Sequence, residues 1–409
     1  MSTARVKVAI HAALDPRAAG GVQTNVTSLV HGLKACTDRL KASLLATPPV
    51  LEAWRARAEP ELSVAPWQYV FPWYRAPVSG AEGDVSALIE KLASSPTDIA
   101  ERDGVVARTG AEVLHFPHQV AFDSDLPTLY EPWDLQHIQL PELFSAGERE
   151  WRTALYKRAC ERAALVITAT AATKRDLVEA LDIDPAKIVV IYRDSKPMPS
   201  GQGPQADARV LAKLGVEPPF AFYPAQTYAH KNHAWLMRTL GVARERGVRI
   251  NLVCSGKRHD AAWPAIAEAI DKARIGEQVR FVGAVSDEDL ACLYRTCRFV
   301  AFPSLFEGLG LPLLEAMQLG APIAAARASC IPETVGDAGL LFDPSDCGDG
   351  ADHLARLWED HALRDKLISR GRMRRQAFSW DRAALPFANA YARVAGRNTE
   401  VEQTGVGTL

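Results

Sequence analysis

Short runs of hydrophobic residues alternate along the chain with longer stretches whose apolar positions follow a helical spacing. In the first half we predict strands at residues 5–11, 40–47, 112–116, 127–130, 164–168 and 188–192, and helices at 22–36, 146–163 and 172–181. Strands that alternate with helices are typical of parallel sheets covered by helices on both faces. Residues 48–103, which are rich in Pro and Trp, fit neither pattern.

The alternation starts again after a stretch of different composition. Residues 194–208 read DSKPMPSGQGPQADA, which is typical of a linker. Beyond it we predict strands at 220–224, 251–254, 278–282, 299–303, 322–326 and 339–342, and helices that include 232–244, 287–296 and 312–318. The pattern indicates an α/β protein with two doubly wound, Rossmann-like domains, at 1–195 and 216–378, joined by a linker at 196–215. Such sheets bind ligands beyond the carboxyl ends of their strands, so we expect the ligand in a cleft between two facing sheets.

Composition and charge narrow the classes of function. Of the 409 residues, 48% are hydrophobic and 23% charged, and the formal net charge is −2. Proteins that bind nucleic acid usually carry a strong basic excess, so we expect no such partner. No apolar run approaches the roughly 18 residues of a membrane span. The N-terminus, MSTARVKVAIHAALD, is typical of a first strand rather than a signal peptide.

Seven cysteines are scattered through the chain without a CxxC pair, at positions 36, 160, 254, 292, 297, 330 and 347. This pattern favours free thiols in a reducing compartment, packed as small buried hydrophobes. We therefore expect a cytoplasmic protein.

The most informative segment is residues 299–320, FVAFPSLFEGLGLPLLEAMQLG. A buried strand is followed by a glycine-rich loop and then a helix, in which Pro312 suits the first turn and Gly320 the end. The free amides at a helix N-terminus favour an anion, and Gly308 and Gly310 allow close backbone approach.

Glu307 and Glu315 flank this turn, eight positions apart. Carboxylates in direct contact with an anion would repel it, so they are better placed to accept hydrogen bonds from sugar hydroxyls while backbone amides face phosphates. This arrangement indicates recognition of a sugar nucleotide. The alternative interpretation is a solvated Glu307 and a Glu315 that compensates the helix dipole in the first turn.

These residues carry a family resemblance. EGLGLPLLE resembles the E-x7-E signature of family 4 retaining glycosyltransferases, which have the GT-B fold, and EAMQLGAPIAAARASCIPETVGDAGLLFDPSD resembles that family's usual continuation. The resemblance implies that Glu307 contacts the transferred sugar, with Phe306, Gly308 and Leu309 nearby, and that Glu315 binds the ribose. It also implies that a helix within the C-terminal segment 379–409 crosses back to the first domain.

Three further segments would complete the donor site. In YPAQTYAHKNHAWLM, residues 223–237, His230 and Lys231 lie at a predicted helix N-terminus, where an ammonium and the helix dipole suit a diphosphate. Lys231 matches the family's lysine, whereas Gln226 stands in place of its usual arginine. CSGK and FVGAVSDEDL resemble segments that line the nucleotide, which implies roles for Gly256, Lys257, Val282 and Gly283. Because backbone contacts identify a base poorly, GDP-mannose-type and UDP-sugar donors both remain open.

The acceptor side is less defined. Gly20, Gly21 and Val22 follow the first strand and open a helix, and in the family this loop lies against the donor phosphate and the acceptor. A simple turn between strand and helix is the alternative interpretation.

The family often has a His-Asp pair in the segment that corresponds here to EPWDLQHIQLPELFS, residues 131–145. Trp133 precedes Asp134 in this chain. His118 and His137 are both candidates for the missing histidine, and each could equally be a packed or solvated residue. Arg193 and Asp194 replace the Asn-Gly that often follows the last strand of this domain.

We therefore predict a retaining transferase that moves a sugar from a nucleoside diphosphate to a hydroxyl of a glycan, glycolipid or small molecule. Lys231 and helix amides can stabilise the leaving group, so we expect no metal and no cofactor, although FDSD at 122–125 and DID at 182–184 have D-x-D spacing. The alternatives are a non-catalytic binding subunit and a GT-B epimerase. The basic helix at 151–162 could touch an anionic membrane surface, but a solvated helix face explains it equally.

Overall fold

The computed structural model describes residues 5–17, 21–46, 48–57, 63–66, 105–122 and 124–397. The chain divides into two compact units. The first comprises Met1–Lys196 together with Trp380–Thr408, and the second comprises Pro197–Ser379.

A parallel sheet with strand order β3-β2-β1-β4-β5-β6-β7 forms the centre of the first unit. Its strands are β1 Val6–His11, β2 Leu40–Ala46, β3 Ser63–Pro66, β4 Val113–Phe116, β5 Thr128–Tyr130, β6 Leu165–Thr168 and β7 Ile188–Val190. Its helices are α1 Gly21–Gly32, α2 Pro48–Arg57, α3 Val105–Arg108, α4 Gln136–Gln139, α5 Ala146–Arg162 and α6 Ala171–Leu181, with 3-10 turns at Leu33–Cys36, Pro141–Leu143 and Pro185–Lys187.

Alternate residues of the central strands enter two separate hydrophobic cores. Val8 and Ile10 of β1 belong to one core, while Ala9 between them belongs to the other. Because successive side chains of a strand point to opposite faces, the sheet is covered on both sides. This is the doubly wound arrangement that the hydrophobic pattern predicts.

The C-terminal helix, Trp380–Val394, is part of the first unit. Phe387 and Tyr391 are fully buried and share a core with residues of β1, β2 and α1. The Cys36 thiol donates to the Ala384 carbonyl at 3.1 Å, and a side chain at Gly32 would overlap the indole of Trp380. The end of the chain therefore completes the core of the unit that contains its beginning.

The second unit repeats the design with a parallel sheet of order β10-β9-β8-β11-β12-β13. Its strands are β8 Ala221–Pro224, β9 Leu252–Ser255, β10 Val279–Gly283, β11 Phe299–Phe302, β12 Ile323–Ala326 and β13 Gly339–Phe342. Its helices are α7 Pro204–Leu214, α8 His233–Glu245, α9 Trp263–Ala273, α10 Asp287–Thr296, α11 Leu311–Leu319, α12 Ile331–Val335, α13 Cys347–Glu359 and α14 His361–Arg375, with 3-10 turns at Ala229–Lys231, Gly276–Gln278 and Gln376–Phe378. The order matches that of a Rossmann sheet, and its chain reversal lies between β8 and β11.

The predicted linker at 196–215 is wrong over more than half of its length. Residues 204–214 form α7, with Pro204 in its first turn and Gly215 as a left-handed C-cap at φ +62°. Asp207 of α7 pairs with Arg295 of α10 at 2.6 Å, which fixes the helix to the second unit. Proline and glycine here start and end a helix, and composition alone does not distinguish this use from a flexible linker.

All seven cysteines are free, as predicted, and all but the half-buried Cys347 are buried. None of the described helices is long and apolar enough to cross a membrane.

Candidate functional site

The predicted donor-binding residues of the second unit lie at the carboxyl ends of the strands of its sheet. β10, β9, β8 and β11 are neighbours in that order, and all of the strands run parallel. Their carboxyl ends therefore lie side by side, and each is followed by one of the predicted segments. These segments begin with Gln226 after β8, Gly256 after β9, Gly283 at the end of β10 and Phe306 after β11.

The loop between β11 and α11 is firmly anchored. Phe306 and Leu309 are buried, and Thr334 donates a hydrogen bond to the Leu309 carbonyl at 2.7 Å. Gly310 is the N-cap of α11 at φ +77°, a left-handed conformation that favours glycine. Pro312 lies in the first turn and Gly320 is the C-cap, as the sequence predicts. Gly308 and Gly310 thus lead directly into a helix N-terminus.

Glu307 and Lys231 form an ion pair at these strand ends. The Lys231 Nζ lies 2.5 Å from the Glu307 Oε1, and the two side chains are 17% and 12% exposed. The Glu307 backbone N–H donates to the Ser329 hydroxyl at 2.9 Å, and the Tyr223 hydroxyl donates to the Lys231 carbonyl at 2.6 Å. The backbone of each residue of the pair is therefore anchored by a hydrogen bond, and the ammonium lies next to the carboxylate.

Glu315 lies deeper, in the second turn of α11. It is 7% exposed, and its Oε2 accepts a hydrogen bond from the Tyr294 hydroxyl at 2.8 Å. Burial and the neighbouring Glu315 raise the pKa of Tyr294, so this phenol remains the proton donor. No acidic residue occupies the first turn of α11, so Glu315 is not a first-turn dipole partner.

Gln226 contacts a histidine that the sequence analysis missed. Its Oε1 lies 3.0 Å from the His259 Nε2, and Tyr228 stacks on the His259 ring with centroids 3.9 Å apart. A Cβ atom at Gly256 would lie 2.7 Å from the backbone of Ala225 and Gln226, so the loops after β8 and β9 pack closely only with glycine there. No motif marks His259, because its contact with Gln226 spans 33 positions.

The remaining predicted donor residues of the second unit differ in their exposure to solvent. His230 is half-buried and its carbonyl accepts from the Leu305 N–H at 2.8 Å, which ties the loop after β8 to the loop after β11. Burial and the neighbouring Lys231 lower the pKa of His230 to about 4. Lys257 is exposed, while Val282 and Gly283 end β10 and are partly exposed. His230 is therefore neutral at pH 7, and Lys231 alone supplies positive charge in that turn.

On the first unit, the structure places Gly21 and Val22 in the first turn of α1. Gly21 is exposed, and a Cβ atom there would meet none of the described residues within 4 Å. Gly20 lies outside the described residues.

His118 follows β4 and pairs with His11 at the end of the neighbouring β1. The His118 Nε2 lies 2.8 Å from the His11 Nδ1, and the His118 Nδ1 accepts from the Val120 N–H at 3.3 Å. Burial, together with His115, lowers the pKa of His118 to about 4. Because its Nδ1 is an acceptor, a neutral His118 carries its proton on Nε2 and donates to His11. Both ring nitrogens of His118 are thus engaged within the unit.

Asp134 and His137 lie in different surroundings. The Asp134 Oδ1 accepts from the Gln136 N–H at 3.1 Å at the start of α4, and the residue is half-buried. His137 is 1% exposed and packs edge-on against Tyr156 at 5.1 Å. Burial and the neighbouring Arg152 lower the pKa of His137 to about 4. Its surroundings are those of a packed core histidine.

A buried charge network that sequence reasoning missed lies close by. Glu131 follows β5 and pairs with the His115 Nε2 at 2.9 Å and with Arg193 at 2.5 Å. Burial opposes ionisation of Glu131, but Arg193 and His115 outweigh it and hold the pKa of this carboxyl below its ordinary value. The His115 Nδ1 lies 2.8 Å from the Tyr391 hydroxyl, so the network also ties down the C-terminal helix.

In the DID segment, the two aspartates of the D-x-D spacing cap neighbouring helical turns. Asp182 is the left-handed C-cap of α6, and Asp184 accepts from the Ala186 N–H at the next 3-10 turn. Asp123 lies outside the described residues. Within the described part of the chain, no group of three or more His, Cys, Asp or Glu side chains is arranged to hold a metal ion.

The part of the chain that matches a protein family lies within the second unit. Residues 218–360 match the family described as Glycosyl transferases group 1. The O-antigen chain mannosyltransferase B of Escherichia coli is 33% identical over 176 residues, which are 42% of this chain and 45% of that protein. The MMP alpha-(1->4)-mannosyltransferase of Mycolicibacterium hassiacum is 28% identical over 275 residues, 63% of each chain. The chain therefore spans less than two thirds of the length of either relative.

Solved structures resemble the chain over nearly its whole length. The sucrose-phosphate synthase of Thermosynechococcus elongatus superposes with a TM-score of 0.73 at 22% identity, over 96% of this chain and 100% of that one. Anabaena HepE in complex with UDP and glucose gives a TM-score of 0.69 at 19% identity, over 95% and 100%. The chain therefore has the GT-B fold, and the sequence of its second unit resembles that of the group 1 glycosyl transferases.

Proposed function

We propose that the chain is a retaining glycosyltransferase that moves a sugar from a nucleoside diphosphate to a hydroxyl of a glycan, glycolipid or small-molecule acceptor. The proposal rests on the Lys231–Glu307 ion pair, at 2.5 Å beside the N-terminus of α11. The similarity to named mannosyltransferases supports the same class of reaction.

The two charges of this pair suit the two halves of a sugar nucleotide. Without a donor, the ammonium and the carboxylate neutralise each other. When a donor binds, the diphosphate takes Lys231 as its partner, and the hydroxyls of the sugar donate to Glu307. Because the pair is preorganised and largely shielded from water, each exchange replaces one charged contact by another with little reorganisation.

The leaving group is stabilised by Lys231 and by the positive end of the α11 dipole. As the bond between sugar and phosphate breaks, negative charge grows on the diphosphate and positive charge on the sugar. Lys231 faces the first charge and Glu307 the second. The proposed reaction therefore needs no metal ion and no further cofactor.

Glu315 is proposed to bind the ribose of the donor. Its carboxylate is held by the Tyr294 hydroxyl at 2.8 Å, which fixes the side chain without neutralising it. A buried, oriented carboxylate accepts hydrogen bonds from a pair of vicinal hydroxyls well. On the acceptor side, Asp134 is the best candidate to contact the incoming hydroxyl, because it is half-buried whereas His118 and His137 are almost fully buried.

For the donor, we propose a mannosyl nucleotide such as GDP-mannose first and a UDP-sugar second. The relatives named above act as mannosyltransferases, whereas HepE has been solved with UDP and with UDP-glucose. A thermal-shift screen across GDP, UDP and ADP and their sugars decides between them, since a ligand at about 100 times its dissociation constant stabilises by about 2.7 kcal/mol.

The bound donor is then incubated with candidate glycan acceptors, and release of nucleoside diphosphate is measured. Proton NMR of the product gives the anomeric configuration. A product with the configuration of the donor is expected, and an inverted product would refute retention. If a nucleotide binds but no acceptor or water accelerates its release, the chain is a binding subunit instead. A free sugar nucleotide altered at one stereocentre would indicate an epimerase.

A further inference from the structure

Ser329 has an unusual backbone conformation. It lies between β12 and α12, and its φ of +44° is in the left-handed region. Glycine adopts this conformation without penalty, whereas the Cβ atom of serine makes it unfavourable. Residues in such conformations persist where the surrounding structure holds them, and they are frequent at functional sites. The contacts of the Ser329 side chain therefore need an explanation.

The Ser329 hydroxyl makes two hydrogen bonds to the backbone of Glu307. Its Oγ accepts from the Glu307 N–H at 2.9 Å and donates to the Glu307 carbonyl at 3.2 Å. A hydroxyl has one proton and two lone pairs, so it can make both bonds at once. The N–H belongs to the peptide group before the Glu307 Cα, and the carbonyl belongs to the peptide group after it. One side chain therefore restricts both backbone dihedral angles of Glu307.

The loop after β11 has anchors that do not depend on Ser329. Phe306 and Leu309, close to Glu307 along the chain, are both buried. Loss of the Ser329 hydroxyl should therefore leave the loop in place but allow the peptide groups of Glu307 to turn. The carboxylate that meets Lys231 at 2.5 Å would then lose its fixed direction.

We propose that Ser329 is a positioning residue for the transferase reaction, an inference that rests on the function proposed above. Ser329 orients Glu307 so that its carboxylate faces the transferred sugar beside the Lys231 ammonium. Glycine at position 329 would relieve the backbone strain, but it would remove both hydrogen bonds and with them the orientation of Glu307.

Two substitutions separate this role from a contribution to stability. Ser329→Gly removes the hydroxyl and relieves the strain, whereas Ser329→Ala removes the hydroxyl and keeps the strain, so the alanine variant should have the lower urea midpoint. We expect kcat for transfer to fall about ten- to a hundredfold in both variants, because the reacting groups are misplaced. Free nucleoside diphosphate should bind to both as tightly as to the wild type in calorimetry, since Glu307 faces the sugar. If kcat follows stability instead, so that Ser329→Gly is as active as the wild type, the residue is only structural and the proposal is overturned.

The matched control is Ser345→Gly. Ser345 is exposed between β13 and α13, and its hydroxyl donates to the Asp343 Oδ1 at 2.6 Å. This variant also loses a serine hydroxyl from a loop of the second unit, and it should keep the kcat of the wild type. An equal fall of kcat in Ser345→Gly and Ser329→Gly would show that the effect is not specific to Glu307 and would overturn the proposal.

A second measurement does not depend on transfer. If Ser329 holds Glu307 against Lys231, then Lys231→Met should lower the urea midpoint less in the Ser329→Gly background than in the wild type, because the ion pair is already weakened there. Equal shifts in the two backgrounds would overturn the positioning role. If the wild type releases no nucleoside diphosphate from any donor, the proposed function fails, and this comparison still decides whether Ser329 holds Glu307 in place.

Discussion

Replacing Lys231 by Met tests whether its ion pair with Glu307 contributes to catalysis or only to the stability of the fold. The two side chains are 17% and 12% exposed, so the pair lies between an exposed pair, worth about 0–1 kcal/mol, and a fully buried one, whose disruption costs about 3–5 kcal/mol. We therefore expect Lys231→Met to destabilise the folded chain by about 2 kcal/mol, because the Glu307 carboxylate loses its partner.

Turnover should fall by more than stability explains. Removal of one preorganised charge contact to a leaving group costs about 3 kcal/mol, or roughly a hundredfold in rate. The double variant K231M/E307Q removes the orphaned carboxylate, so it should recover most of the lost stability but none of the lost turnover. Stability is measured by urea denaturation, and turnover by release of nucleoside diphosphate from the donor that the thermal-shift screen selects.

The matched control is Lys213→Met. Lys213 pairs with Asp289 at 2.7 Å in the same unit, but its side chain is 65% exposed and lies in no donor segment. This variant should lose less than about 1 kcal/mol of stability and keep normal turnover. If Lys231→Met keeps turnover within a few-fold of the wild type, or if the double variant regains turnover together with stability, the pair is structural and the proposed leaving-group role is refuted.

Three further predictions concern other parts of the molecule. Glu307→Gln should depress turnover while nucleoside diphosphate still binds, whereas Glu315→Gln should weaken binding of diphosphate and intact donor by roughly ten- to a hundredfold, since a charged hydrogen bond is worth about 1.5–3 kcal/mol; calorimetry that gives the reverse pattern would exchange the two roles. Gln226→Arg should preserve or strengthen diphosphate binding, and complete loss of binding by the folded variant would contradict the placement of this residue in the donor site. Because the pKa of His137 is lowered to about 4 in the folded chain, the unfolded state binds more protons below pH 6.5, and stability should fall as the pH drops through this window. His137→Phe should flatten that fall in urea denaturation series at pH 7 and pH 5, and an unchanged pH dependence would show that another group causes it.

Local patterns were sufficient to predict the strands of both sheets except β3, because a buried parallel strand is a nearly continuous apolar run. Strand β3, Ser63–Pro66, was missed because it lies in the Pro- and Trp-rich stretch that fits neither pattern. Pro312 and Gly320 gave the ends of α11 correctly, since their conformational restrictions act within one turn. At 196–215, proline and glycine led to a wrong prediction of a linker. There Pro204 and Gly215 bound a helix whose stability depends on contact with α10, which no local pattern reveals.

For the candidate site as well, some features could be predicted from the sequence and others could not. The approach of the donor segments to one another could be predicted, because parallel strands bring their carboxyl ends together. The partners of individual side chains could not be. Gln226 contacts His259 across 33 positions, and Lys231 contacts Glu307 across 76. The environments of His118 and His137 also could not be predicted, because neither residue stands in a motif that distinguishes a reactive histidine from a packed one. The burial of each side chain in the structure was needed for that.

The place of the C-terminal helix in the first unit has a consequence for biosynthesis. The contact between Cys36 and Ala384 joins residues 348 positions apart. At about 5–20 residues per second, a ribosome needs on the order of 20–70 s to make that stretch. Throughout that time the nascent first unit lacks Phe387 and Tyr391, and the apolar surface that they cover faces solvent or chaperones. A transcript cut short anywhere in the second unit therefore leaves an incomplete first unit as well, and only emergence of the last helix from the ribosome allows that core to close.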